Sequence, residues 1–239
     1  MTAAPLLAEG VVRSVVAGGS RFTLTVERFS VDAGEKVAVV GPSGCGKSTL
    51  LALLSLAMRP DASTTLQLDG ADAWALWQAG AGDALAAIRS RSVGFVPQTG
   101  ALLPFLSLRK NILLTQWIAG QPDPAWVAAL TTRLGIADVL DRLPAAVSVG
   151  QRQRAAIARA LAHRPRLVFA DEPTASVHPA QADEVLALLT EAARDNGAAL
   201  VITTHDPGRA AAAGFAIVPC LIATCQADTA ATATRFCWP

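Results

Sequence analysis

Lys36-Val37-Ala38-Val39-Val40-Gly41-Pro42-Ser43-Gly44-Cys45-Gly46-Lys47-Ser48-Thr49-Leu50-Leu51 is the stretch on which the reading of this chain turns. A short apolar run stops at Gly41, a glycine-rich loop follows, and an apolar helical pattern (Leu50, Leu51, Leu53, Leu54) begins just past Lys47. The loop fits G-x-x-x-x-G-K-[ST] in a strand–loop–helix context. Glycines let successive backbone N–H groups wrap an anion, and a helix N-terminus adds a field that favours negative charge. Gly41, Pro42, Ser43, Gly44, Cys45, Gly46, Lys47, Ser48 and Thr49 are therefore a candidate cradle for nucleotide phosphates. Lys47 is suited to reach the terminal phosphates of ATP and the Ser48 hydroxyl to ligate Mg²⁺. Cys45 reads as a small space-filler within the loop.

Three more apolar runs end in polar residues. Val93–Val96 runs into Pro97-Gln98, Leu167–Ala170 into Asp171-Glu172, and Ala199–Ile202 into Thr203-Thr204-His205. Runs without alternation read as strands buried on both faces, so the fold class is α/β with a mostly parallel sheet covered by helices. Ligands of such sheets bind at the carboxyl ends of the strands, where Gly41, Gln98, Asp171 and His205 fall. Asp171 is suited to hold Mg²⁺ through its water shell and Glu172 to accept a proton from an attacking water. Gln98 is placed to bridge the metal and that water, and His205 to contact the γ-phosphate or orient the water.

Elsewhere the periods change. Phe22, Leu24 and Val26 alternate with Thr23, Thr25 and Glu27, the two-residue period of a half-exposed strand in an N-terminal antiparallel β portion. Residues 179–196 place Val185, Leu188, Leu189 and Ala192 on one helical face, with Pro179 at the start and Gly197 past the end. From about 72 to 145 the chain reads as a helical subdomain inserted into one domain spanning 1–239, with Ser107 capping a helix over 108–118 and another near 125–134.

Composition narrows the function. The chain has 239 residues, 52% hydrophobic and only 16% charged, which excludes disorder. Twenty Lys+Arg against nineteen Asp+Glu give +1, with no basic stripe, so no nucleic acid is expected as partner. The four cysteines form no C-x-x-C and the three histidines lie apart, which argues against a disulfide framework or structural zinc. Ala210–Ala227 is uncharged but broken by Gly214 and Pro219, and reads as two short strands, not a membrane span. The N-terminus lacks the basic start and long apolar core of a signal peptide. A soluble, cytosolic chain is the expectation.

The order of these motifs resembles the ATP-binding subunit of ABC transporters, over about Phe22 to His205. Gly41–Ser48 looks like Walker A, Gln98 like the Q-loop, Leu167–Asp171 like Walker B with Glu172 as catalytic base, and His205 like the switch histidine. Val147-Ser148-Val149-Gly150-Gln151-Arg152-Gln153-Arg154 is similar to the LSGGQ signature that separates this family from other P-loop ATPases. Ser148 and Gln151 also form an S-x-x-Q capping box, which leaves a helix N-terminus pointing at phosphate. The resemblance implies a P-loop NTPase fold and two copies closing head to tail around two MgATP. Ser148, Gly150 and Gln151 of one copy would press on nucleotide held by the other, driving an integral-membrane permease from the cytoplasmic face of the inner membrane. With no tyrosine in the chain, Phe22 is the candidate for stacking on adenine.

Two residues depart from the family pattern. Val149 stands where the signature has its first glycine, and His178 where the D-loop has an aspartate that would cap the helix at Pro179. Histidine is a poorer cap, and both changes fall at the expected dimer interface, so slower hydrolysis with intact ATP binding is expected. Leu103 and Phe105 follow the Q-loop and are expected to help contact the permease. The wording Gln98–Phe105 resembles the macrolide-exporter and lipoprotein-release type. A non-transport ABC ATPase acting on cell-envelope machinery, or a nucleotide-dependent binding module with weak hydrolysis, are the alternatives. The tail at 215–239, with Cys220, Cys225 and Cys237, carries no motif.

Overall fold

The computed structural model describes residues 4–17, 20–224 and 231–238. The chain divides into two compact units, Met1–Ile88 with Thr203–Pro239, and Arg89–Ile202.

The first unit is built on two sets of strands. β1 (Leu6–Ala17) and β2 (Ser20–Val31) form a long antiparallel hairpin in which Val11 faces Val26. Leu6, Ala8 and Val11 on β1 and Leu24, Val26, Phe29 and Val31 on β2 are buried, so the alternation read at Phe22–Val26 does set one face inward. β4 (Thr65–Leu68) and β5 (Ala71–Asp72) extend this sheet on one side. On the other side the tail supplies β10 (Leu221–Thr224) and β11 (Ala231–Cys237), giving the order β10-β11-β2-β1-β4-β5. β11 runs parallel to β2 and sets Thr232 beside Phe22. Separately, β3 (Lys36–Val40) pairs in parallel with β9 (Ala216–Pro219), and the fully buried Leu50, Leu51, Leu53 and Leu54 anchor α1 (Lys47–Leu54). Each such leucine contributes about 1.5–3 kcal/mol by leaving water. α2 (Ala73–Gln78) is capped by the Asp72 carboxylate on Ala75 N–H.

The second unit holds β6 (Val93–Val96), β7 (Leu167–Asp171) and β8 (Ala199–Thr204) in the order β6-β7-β8; the last two residues of β8 already belong to the first unit. α3 (Gly82–Ser92) leads in from the first unit. α4 (Leu108–Ala119), α5 (Pro124–Arg133), α6 (Val149–Leu161) and α7 (Pro179–Asp195) complete the unit. Ser107 caps α4 as expected, its hydroxyl accepting from Lys110 N–H at 3.3 Å.

Several sequence expectations change. β6 is not buried on both faces: Gly94 and Val96 are buried while Val93 and Phe95 are half-buried, because β6 ends its strand order. On α7 the inward face is Ala182, Val185, Leu186, Leu189, Ala192 and Ala193, with Leu188 at its margin. Ala210–Ala212 closes a short helix, α8 (Pro207–Ala212), because Asp206 caps Arg209 N–H at 2.9 Å and Pro207 sits at the first helical position. The two strands read from that stretch are β9 and β10; 225–227, with Cys225, lie outside the described residues. His178 does cap α7, its Nδ1 accepting from Ala180 N–H at 3.3 Å, so the helix keeps a side-chain cap without the aspartate.

Candidate functional site

In the first unit the chain leaves β3 at Gly41 and enters α1 at Lys47, and the loop between them is shaped by backbone that L side chains avoid. Gly44 and Gly46 have φ of 79° and 98°, and an added Cβ on Gly46 would lie 2.6 Å from Cζ of Phe22. Gly46 is thus required both for its left-handed conformation and for the aromatic ring lying against it. As the N-cap of α1 it supplies no side-chain hydrogen bond, and the first turn carries no acidic residue. Helix N-termini leave their first N–H groups without intrahelical partners, which makes such a terminus a place where an anion is favoured. The Lys47 ammonium, buried, crosses the loop and donates to the carbonyls of Gly41 at 2.8 Å and Pro42 at 3.0 Å. Ser48 and the Pro42–Gly44 rim are exposed. A backbone nest, a helix terminus without a side-chain cap and a lysine held across it fit a polyphosphate. Phe22 is half-buried beside the nest, a placement open to a stacking base. His205, also in this unit, directly follows β8 and is exposed.

In the second unit β6 and β7 run parallel with Val96 beside Ala170, so Gln98 and Asp171 leave neighbouring strands at the same end. Asp171 closes β7 half-buried; Glu172, the next residue, is held at φ 45°, a left-handed backbone that costs a non-glycine residue of the order of 1–2 kcal/mol. The Gln98 side chain is exposed, and the Gln98 backbone carbonyl accepts from Ser176 Oγ at 2.8 Å, which ties the loop after β6 to the segment after Glu172. Ser148, Gly150 and Gln151 open α6, where the expected capping box is formed: Ser148 Oγ accepts from Gln151 N–H at 3.2 Å and Gln151 Oε1 from Ser148 N–H at 3.0 Å. Val149, at the first position of α6, is 44% exposed.

Three residues of this unit escaped the sequence reading. Arg159 of α6 donates to the carbonyls of Ala101 at 2.7 Å and Gly100 at 2.9 Å, and burial holds its pKa below the usual arginine value. Gln153 Nε2 donates to Pro173 O at 2.7 Å. Asn111, wholly buried, accepts from Leu103 N–H at 2.7 Å and donates to the carbonyls of Leu103, Leu106 and Ser107. The loop after Gln98 and the turn after Glu172 are therefore both pinned by side chains that reach backbone far away in sequence. Only an exposed-looking polar residue inside an apolar helical face could have signalled them. Asn111 also fixes how Leu103 (half-buried) and Phe105 (74% exposed) are presented.

The described helices include none long and apolar enough to cross a membrane. Comparison with known proteins identifies the family. Residues 24–175 match the family model described as ABC transporter. A lipoprotein-releasing system ATP-binding protein, LolD 1, of Rhodospirillum rubrum is 39% identical over 211 residues, 87% of this chain and 91% of the relative. The LolD of Anaeromyxobacter dehalogenans is 44% identical over 183 residues, 75% of this chain and 74% of the relative. A macrolide export ATP-binding/permease protein, MacB, of Syntrophobacter fumaroxidans is 39% identical over 75% of this chain but only 25% of its own length. Among solved structures, the dimeric bacterial ABC transporter cassette MJ0796 superposes with a TM-score of 0.78 at 26% identity, over 90% of this chain and 93% of that one. This chain belongs to the ABC transporter family.

Proposed function

We infer that the chain is the ATP-binding and ATP-hydrolysing motor subunit of an ABC transporter of the lipoprotein-release or macrolide-export type. The observation that carries this is the α1 terminus, without a side-chain cap, under a left-handed glycine loop with Lys47 across it. In this reading Gly41–Thr49 hold the phosphates and Phe22 stacks on adenine. Ser48, Gln98 and Asp171 hold Mg²⁺, which when bound withdraws charge from the transferring phosphoryl group. Glu172 accepts the proton of the attacking water and His205 orients that water. Ser148, Gly150 and Gln151 meet nucleotide held by a second copy; the pairing of two copies is supported by the dimeric cassette MJ0796. Leu103 and Phe105 face an integral-membrane permease, with the subunit lying peripherally on the cytoplasmic face of the inner membrane. The 1–239 chain works as one ATPase domain in this reading, with the helices before and after β6 as its helical part.

A second reading rests on Val149. An isopropyl group projecting from the first turn of α6 favours a nucleotide-dependent binding module that hydrolyses weakly. Mg-ATP turnover decides between the two when measured beside ATP-driven dimerisation of Glu172→Gln. The motor reading predicts steady turnover in the unsubstituted protein, a loss of about 10²–10⁴-fold in Glu172→Gln, and an ATP-dependent dimer of that variant by light scattering. Turnover already at the level of Glu172→Gln would establish the binding module.

A further inference from the structure

Cys45 of the phosphate loop has a neighbour from the tail. Cys220 stands in the turn between β9 and β10; its N–H donates to Val40 O at 2.8 Å and its thiol to the Cys45 carbonyl at 3.5 Å. Both side chains line the spot that a side chain on Gly41 would fill. A Cβ added there would lie 2.9 Å from Cys45 Sγ, 2.7 Å from Cys220 Cβ and 3.5 Å from Cys220 Sγ. Only glycine at position 41 lets the two cysteine side chains come this close to the same spot, and both thiols are reduced. Burial first, and then the adjacent Cys45 thiol, push the Cys220 thiol up to about 12, which keeps it protonated at neutral pH.

We propose that Cys45 and Cys220 are a reversible disulfide site that locks the phosphate loop and weakens nucleotide binding. A hydroperoxide oxidises the Cys45 thiol to the sulfenic acid and is itself reduced to an alcohol or water. The Cys220 sulfur then displaces the sulfenic hydroxyl, which leaves as water with the Cys220 proton, and a dithiol reductant reverses the bond. A disulfide needs sulfurs about 2.05 Å apart and Cβ atoms about 3.5–4.5 Å apart. The turn bearing Cys220 is fixed on both sides, by β9 on β3 and by β10 on β11, which lies on β2. The loop is not held by strand pairing; in it Cys45 sits between Gly44 and Gly46, whose left-handed backbones give the nest its curvature. Drawing Cys45 toward the turn therefore changes the direction of the N–H groups that the nest offers. Disulfides of this kind in reducing compartments are transient and act as sensors.

The consequence for binding rests on the nucleotide reading above; the bond itself does not. The test treats the full chain with hydrogen peroxide, blocks remaining thiols, maps peptides by mass without reduction, and titrates a fluorescent ATP analogue with Mg²⁺. The expected result is a Cys45–Cys220 linked peptide, an affinity at least about tenfold lower that dithiothreitol restores, and Cys220→Ser binding normally before and after peroxide. Peroxide that oxidises Cys237 without producing the Cys45–Cys220 peptide would overturn the proposal, as would Cys220→Ser losing affinity as the unsubstituted protein does. Should the reduced protein bind no MgATP, the nucleotide reading and the locking consequence fall together, while the peptide map still decides the bond.

Discussion

The N-termini of α1 and α6 both follow turns rich in small and polar residues, yet they are finished in opposite ways. α1 starts from a left-handed glycine with no side-chain cap, and its lysine folds back over the loop carbonyls. α6 starts from a closed Ser148–Gln151 box that already satisfies the N–H groups of residues 148 and 151, and it displays the Val149 side chain. A helix terminus left open is a place for a buried anion; one that is capped is a surface that can meet an anion held elsewhere. The difference matches the division of labour in the proposed function, in which one terminus holds nucleotide and the other touches it from a second copy.

Substitutions can break or sharpen this contrast. The largest effect is expected for Gly46→Ala, which must adopt a left-handed φ and meets the Phe22 ring. MgATP affinity should fall about a hundredfold, roughly 2.7 kcal/mol, in a calorimetric titration, whereas Gly150→Ala, whose added Cβ would have only Gln181 within 4 Å, should bind MgATP normally. Next, Asn111→Leu removes the side-chain donor to the Leu103, Leu106 and Ser107 carbonyls and the acceptor of the Leu103 N–H. It should lower stability by about 1–3 kcal/mol by denaturant melting while MgATP affinity holds. Val149→Gly opens the α6 terminus and should raise Mg-ATP turnover by up to about tenfold, the equivalent of 1.4 kcal/mol. An unchanged rate would remove Val149 from the account. Ser148→Ala breaks one half of the capping box and should cost only about 1 kcal/mol of stability.

The contrast also explains what could be read from the sequence. The phosphate loop was legible because its conformation depends on residues adjacent in the chain: glycines at 41, 44 and 46 and a lysine at 47. The strand ends were legible because apolar runs stop where Gln98, Asp171 and His205 begin, and the capping box because its partners are three residues apart. What holds the second unit's loops was not. Arg159 reaches Ala101, Gln153 reaches Pro173, and Thr115 Oγ1 reaches the Arg159 carbonyl at 2.8 Å, contacts whose partners no local pattern connects. Of the tail, β11 was equally silent, since it gains its place by pairing with β2, some two hundred residues earlier. β1 escaped for a related reason: its partner β2 completes a pattern that Leu6–Ala17 shows only weakly alone.

The most direct test compares MgATP binding by the unsubstituted protein with that of Lys47→Ala, both shown folded by circular dichroism. The account predicts saturable binding by the former and a loss of about a hundredfold or more in the latter. Equal affinity of the two folded proteins, or no binding by either, would contradict it.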